Sequence, residues 1–194
     1  MNYLAHAYLS FGDPDILAGN IFSDFIKGKK RYEFPQRIQE GIALHRAIDE
    51  FTDTHAATAK AKQFFRPVYR LYAAPMTDII YDHFLATDKS IFPGDTLKTF
   101  ARDTYEQLRQ FTDVFPENFD TVFYYMQLHD WLYGYKFEWG IFRSLEGLVR
   151  RAAYIRDARP AQELFVKHYD ALKECYAEFF PELREFAKKY LEGR

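Results

Sequence analysis

"GIALHRAIDEFTDTH", residues 41–55, decides the fold class. At about 100° per residue, Leu44, Ala47, Ile48 and Phe51 fall at the i, i+3, i+4, i+7 spacing of one helix face. His45, Asp49 and Thr52 run along one edge of that stripe, with Asp53 slightly further round, while Arg46 and Glu50 point away. Residues four apart lie only about 40° from each other on a helix. His45 and Asp49 therefore stand together beside a stripe meant for burial, and something must satisfy them there.

Helix signals continue outward from this stretch. Asp13-Pro14 reads as an N-cap with Pro at the first helical position, and Gly28 stands where that helix should stop. Pro35 opens the helix that carries the quoted residues, to about 55. Asp53 and Thr54 can cap the next, running to Phe65 before Pro67. Pro75 begins a helix bearing "MTDIIYDHFLA", and Asp95 begins another, to about 111. Pro116, Glu138 and Pro160 mark later starts, and Pro181 should split the last segment. Val and Ile runs are few and no Asn-Gly or Asp-Gly hairpin pair occurs, so strands are hard to place. The expectation is an all-α helical bundle forming a single domain over residues 1–194.

The composition narrows the class. Apolar residues make up 48% of the chain and aromatics 19%, which argues against disorder. A formal charge of −2 argues against general nucleic-acid binding, which needs a net basic surface. A basic run stands locally at Lys27, Lys29, Lys30 and Arg31, and Arg143, Arg150, Arg151 and Arg156 form a second group. Cys175 has no second cysteine to pair with, which fits a reducing compartment. No signal peptide and no apolar stretch of membrane-spanning length is visible. A cytoplasmic location, with no membrane partner, is expected.

The polar residues of the first half form a pattern. Asn20 and Asp24 repeat the i, i+4 spacing, as do Asp78 and Asp82, with His83 directly following. His6 stands alone among small and apolar neighbours in "NYLAHAYLS". Four of the six histidines lie within the first 83 residues, near a carboxylate or on an apolar stretch. Carboxylates at the edge of a buried stripe must be paired, hydrogen-bonded or metal-bound. Helix-surface pairing of Arg46 with Asp49 or Glu50, a capping role for Asp53, and a dipole contact for Asp78 are the ordinary accounts. Imidazoles and carboxylates gathered from several helices would equally suit a divalent cation. The dipeptide His129-Asp130, which names the HD metal-phosphohydrolases, lies amid aromatics with no further acid or histidine beside it.

Four segments together resemble the acyl carrier protein phosphodiesterase family: "NYLAH" at the start, "GNIFSDFIKG" at 19–28, "GIALHRAIDEFTD" at 41–53 and "DIIYDHFLA" at 78–86. They occur in the family's order and at its separations. "HYDAL" at 168–172 and the following "FFPEL" extend the likeness to the C-terminal end, and it is weakest between about 88 and 150. The resemblance implies an all-helical, HD-phosphohydrolase-like fold and Mn²⁺ dependence, with Mg²⁺ or Fe²⁺ as other divalent choices. It implies removal of 4′-phosphopantetheine from holo acyl carrier protein, which would be the protein partner.

Carried over by position, the likeness points to Asp24, His45, Asp82, His83 and His6 as metal ligands, with Asn20 also on a motif position. Either Asp49 or Asp53, if not a ligand, would orient the attacking water, and Arg46 would stabilise phosphoryl oxygens, although its helical position points away from His45. The Asp-His order at 82–83 reverses the usual superfamily dipeptide. The run at 27–31, three residues after Asp24, would offer an acidic carrier protein a cationic surface. A phosphohydrolase acting on a nucleotide or another small phosphoester is the competing enzyme reading. A non-catalytic helical module whose acids and histidines satisfy one another is the third. The oligomeric state has no signal in the sequence.

Overall fold

The structure, a computed structural model, describes residues 1–193. Its α-helices are α1 (Tyr3–Tyr8), α2 (Pro14–Phe22), α3 (Gln36–Thr54), α4 (Ala56–Tyr69), α5 (Ala73–Thr87) and α6 (Thr96–Arg109). They continue with α7 (Phe119–Leu128), α8 (Trp131–Gly134), α9 (Glu138–Arg151), α10 (Arg159–Lys167) and α11 (Tyr169–Glu192). No strand forms among the described residues, and no helix there is long and apolar enough to cross a membrane. The fold is all-α.

Proline and cap signals locate most helix starts, and packing overrides several of the expected stops. Asp13 caps α2 by accepting from Asp15 and Ile16 backbone N–H. That helix ends at Phe22 rather than near Gly28: a 3₁₀ turn, Ser23–Phe25, tightens the chain, and a second, Gly28–Glu33, follows. The helix after α3 is capped by His55 rather than Asp53 or Thr54. Thr54 stays helical, its hydroxyl donating to Glu50 O, while His55 Nδ1 accepts from Ala57 N. Pro67 does not end α4, because Phe65 and Tyr69 on either side of it are buried. Nor does Pro181 split α11. Its missing N–H costs one helical bond, and burial of Phe179, Phe180, Leu183 and Ala187 along one face outweighs that loss.

Aromatic side chains fill much of the core. Phe22, Phe65, Tyr81, Phe84, Phe119, Phe165, Phe179 and Phe180 are all essentially inaccessible. Each such ring removes roughly 150–250 Å² from water, the dominant favourable contribution to folding.

Two features of the fold position the site. The first is the close crossing of α2 and α3 at Gly19 and Gly41. A Cβ on Gly19 would lie 2.9 Å from Gly41 Cα and 2.8 Å from Ile42 N, and it would collide outright with Ile38 O. A Cβ on Gly41 would collide with Ile16 O. Only hydrogen fits at either position, and the two backbones come close enough for Asn20, next to Gly19, to reach His45. The second is Asp82 on α5. It is wholly buried, and its carboxylate accepts backbone N–H from Leu4 at 2.8 Å and from Asn2 and Ala5 at 3.3 Å. It thereby satisfies donors that the start of α1 would otherwise leave bare and fixes the helix that carries His6.

Gly19→Ala and Gly41→Ala are each expected to lower unfolding free energy by about 3 kcal/mol, the upper part of the range for overpacking against rigid backbone. Urea denaturation checks this, and a change below about 1 kcal/mol would mean that the crossing is looser than described.

Candidate metal centre

Asn20 organises two histidines from different helices. His6 Nδ1 lies 2.7 Å from Asn20 Oδ1, and His45 Nδ1 lies 2.7 Å from the Asn20 backbone carbonyl. The Asn20 amide nitrogen donates to His6 O and Ser10 Oγ, so its oxygen is the atom facing His6. Both partners of the rings are acceptors, and both Nδ1 atoms therefore carry hydrogen. The rings stack with centroids 4.0 Å apart, 15° from parallel. Both Nε2 atoms end up on the same side, facing Asp49.

Asp49 Oδ1 is 3.3 Å from His6 Nε2, and its Oδ2 is 3.1 Å from His45 Nε2. Asp24, in the 3₁₀ turn after α2, places Oδ1 3.2 Å from the same His45 nitrogen. Ligand-type atoms of His6, His45 and Asp49 all lie within 4.8 Å of one another. The histidines form a dry back wall at 3% and 7% side-chain exposure, whereas Asp49 at 43% and Asp24 at 71% form an open front.

The charges are tightly coupled. Burial and the neighbouring His45 drive His6 down to about 4, so it is neutral near pH 7. Its Nε2 is buried and lacks a properly formed hydrogen bond. Burial alone would lower His45, but Asp24 and Asp49 reverse this and lift it to about 9. Burial opposes ionisation of Asp49, yet the hydrogen bond from His45 and the charge of the Met1 ammonium hold it far below the usual carboxylate range. Asp24 is also lowered, chiefly by its bond to His45. The Met1 ammonium lies 3.1 Å from Asp78 Oδ1 and 3.5 Å from Asp49 Oδ1.

A cavity of about 350 Å³ opens in front of this cluster, lined among others by Asp24, His45, Asp49, Asp53, Asp78 and Arg151. Asp53 faces it, with Oδ1 held by Lys62 Nζ at 2.7 Å. The remaining residues singled out by motif lie elsewhere. Asp82 is committed to the start of α1, and burial lifts its carboxyl to about 7 against three backbone donors and the Met1 ammonium. His83 turns away, its Nδ1 2.7 Å from Tyr135 O and Nε2 3.1 Å from Tyr169 Oη. The structure does not bring either residue to the cluster. Arg46 is exposed and lines a different groove, with Phe186 and Tyr190. The guanidinium facing the cavity is instead that of Arg151, at the end of α9. It belongs to the second basic group of the sequence, and no local pattern ties it to residues 24–49. Of the run at 27–31, none lines the cavity. His129 and Asp130 are likewise absent from it.

The family model described as acyl carrier protein phosphodiesterase matches residues 1–183. This chain belongs to that family. Proteins named acyl carrier protein phosphodiesterase are similar to it along nearly their whole length. That of Enterobacter sp. (strain 638) is 31% identical over 189 residues, 97% of this chain and 98% of the relative. That of Escherichia coli O6:H1 is 30% identical over 190 residues, again 97% and 98%. No solved structure matches significantly.

Placed at α1 rather than in the cluster, Asp82 has a structural consequence. Asp82→Ala is expected to leave buried N–H groups at Leu4 and Ala5 unpaired, at roughly 1–3 kcal/mol for each such group. Thermal unfolding checks this. His83→Ala, by contrast, should leave the stacking of His6 on His45 intact, as reported by the imidazole resonances of the two residues. Displacement of both sets of resonances by His83→Ala would contradict the separation described.

Proposed function

We propose that this chain hydrolyses holo acyl carrier protein to the apo protein and 4′-phosphopantetheine, with a divalent cation held by His6 Nε2, His45 Nε2 and Asp49, and with Asp24 beside it. One observation carries the reading. Two imidazoles have their Nδ1 atoms occupied by Asn20 and their Nε2 atoms converging on one carboxylate at the back of an open cavity. Metal-binding histidines are typically fixed this way, with the far nitrogen donating to an oxygen so that the near one points at the ion. The buried, unsatisfied Nε2 of His6 supports the fit. Imidazole suits ions such as Fe²⁺ and carboxylate suits Mn²⁺, so the mixed set admits the Mn²⁺ that the family likeness implies. His45 gives up its Nε2 proton to bind, as imidazole ligands do.

When bound, the cation lowers the pKa of an attacking water and withdraws charge from the phosphoryl oxygens. The chain's own residues do the rest. Asp24, exposed and 3.2 Å from His45, is placed to take the proton of that water. Arg151 is placed to fork onto the non-bridging phosphoryl oxygens as charge builds on them, the role that the motif assigned to Arg46. Attack in line breaks the bond from phosphorus to the serine oxygen. Water contributes its oxygen to the phosphate and a proton to the departing serine.

Mn²⁺ at about one hundred times its Kd should stabilise the metal-stripped protein by about 2.7 kcal/mol, and His6→Ala and Asp49→Ala should lose that stabilisation. Mn²⁺-dependent release of 4′-phosphopantetheine should disappear in the same two variants. Arg151→Ala should lower kcat by about a hundredfold, the usual cost of losing one donor to a developing oxyanion. Arg46→Ala should turn over at close to the wild-type rate. Full turnover by the His6 variant would sink the assignment.

A further inference from the structure

A second and larger concavity, about 640 Å³, adjoins the metal-centre cavity and shares Asn2, Ile79 and Arg151 with it. It runs between the start of α1, one face of α7 with α8, and one face of α9. That volume lies within the range of small-molecule sites, about 300–1,000 Å³. Its walls are mainly apolar and aromatic, with Tyr3 against Trp131 at 5.9 Å and Trp139 on the outer side. Charge is confined to the α9 edge, in Arg143, Glu146, Arg150 and Arg151. Arg143, Gly147 and Arg151 follow one another at i, i+4 and i+8 along the groove. Gly147 carries no side chain, and the guanidinium ends of Arg151 and Arg150 lie over the gap it leaves. Among the described residues Arg151 pairs with no carboxylate, while Arg143 lies 5.8 Å over the Trp139 ring.

We propose that this groove seats the pantetheine arm of the substrate, an uncharged amide-bearing chain lying along Tyr3, Trp131 and Trp139, with Arg151 at the junction holding the phosphate to which the arm is attached. The assignment rests on the function proposed above. It follows from three features: the groove adjoins the cavity in front of His45 and Asp49, Arg151 lines both at that junction, and its interior suits a neutral slender chain better than an acidic surface. The reacting phosphodiester joins a serine on one side to the arm on the other. With the arm in the groove, the body of the carrier protein lies on the opposite side of the cavity.

The chain's two tryptophans, Trp131 and Trp139, both line the groove, so their fluorescence reports its occupancy without any turnover. The experiment titrates 4′-phosphopantetheine into the wild-type protein and into Gly147→Phe. A Cβ at 147 meets only the Arg151 and Arg150 guanidinium ends, at 3.5 and 4.0 Å, so the helix tolerates the change. Gly147→Ala, with unchanged fluorescence and binding, serves as the folding control. The expected result is a saturable change in tryptophan emission in the wild type and a Kd at least about tenfold weaker in Gly147→Phe. KM for holo carrier protein should rise similarly. No emission change in the wild type, or equal binding by Gly147→Phe, overturns the groove assignment. An intact emission response in a wild type that fails to process holo carrier protein supports the groove and counts against the proposed reaction instead.

Discussion

The site depends on Asn20. Its side-chain oxygen takes the Nδ1 hydrogen of His6 and its backbone carbonyl takes that of His45, so one residue sets the tautomer and direction of both rings. Remove the constraint and each imidazole can rotate, and nothing in the cluster forces the Nε2 atoms to converge. The position is available only because α2 lies against α3 at Gly19 and Gly41, where no side chain intervenes. Backbone proximity, then two hydrogen bonds, then ring stacking at 4.0 Å form a single chain of cause. Asp82 completes it from the other side by anchoring the helix on which His6 rides.

The electrostatics follow from this geometry. Two rings held in contact cannot both be charged, since burial and mutual repulsion oppose it. His6 is the one kept neutral, and His45, with two carboxylates on its Nε2, is the one that keeps a proton. The dry histidine wall and wet carboxylate front give the cluster a direction. Asp24 and Asp49 face the open cavity, which Arg151 of α9 also lines. A helix distant in sequence thus supplies the positive charge that α3, with Arg46 turned the other way, does not.

Much of this was legible in the sequence, for identifiable reasons. The start of α2 at Asp13-Pro14 and of α9 at Glu138 follows from local chemistry, and so does the shared edge of His45 and Asp49, because i, i+4 neighbours on a helix must lie together. Pro67 and Pro181 misled because a single missing hydrogen bond is a small loss beside a buried aromatic face. Asp82 and His83 adjoin in sequence but diverge by about 100° around α5, one toward α1 and the other toward Tyr135 and Tyr169. Local spacing says nothing about which neighbour a buried polar group will find. Arg151 was visible only as part of a basic cluster, since its approach to residues 24–49 is set entirely by tertiary packing. The role of Asn20 as an orienting group also lay beyond spacing, because half of it is performed by a backbone carbonyl.

The most direct test of the account is pulsed EPR on the Mn²⁺-loaded protein carrying ¹⁵N-labelled histidine, which counts imidazole nitrogens bound to the ion. The account predicts coupling to two histidine nitrogens, reduced to one in His6→Ala and in His45→Ala and unchanged in His83→Ala. Two couplings persisting in His6→Ala, or one lost in His83→Ala, would contradict it.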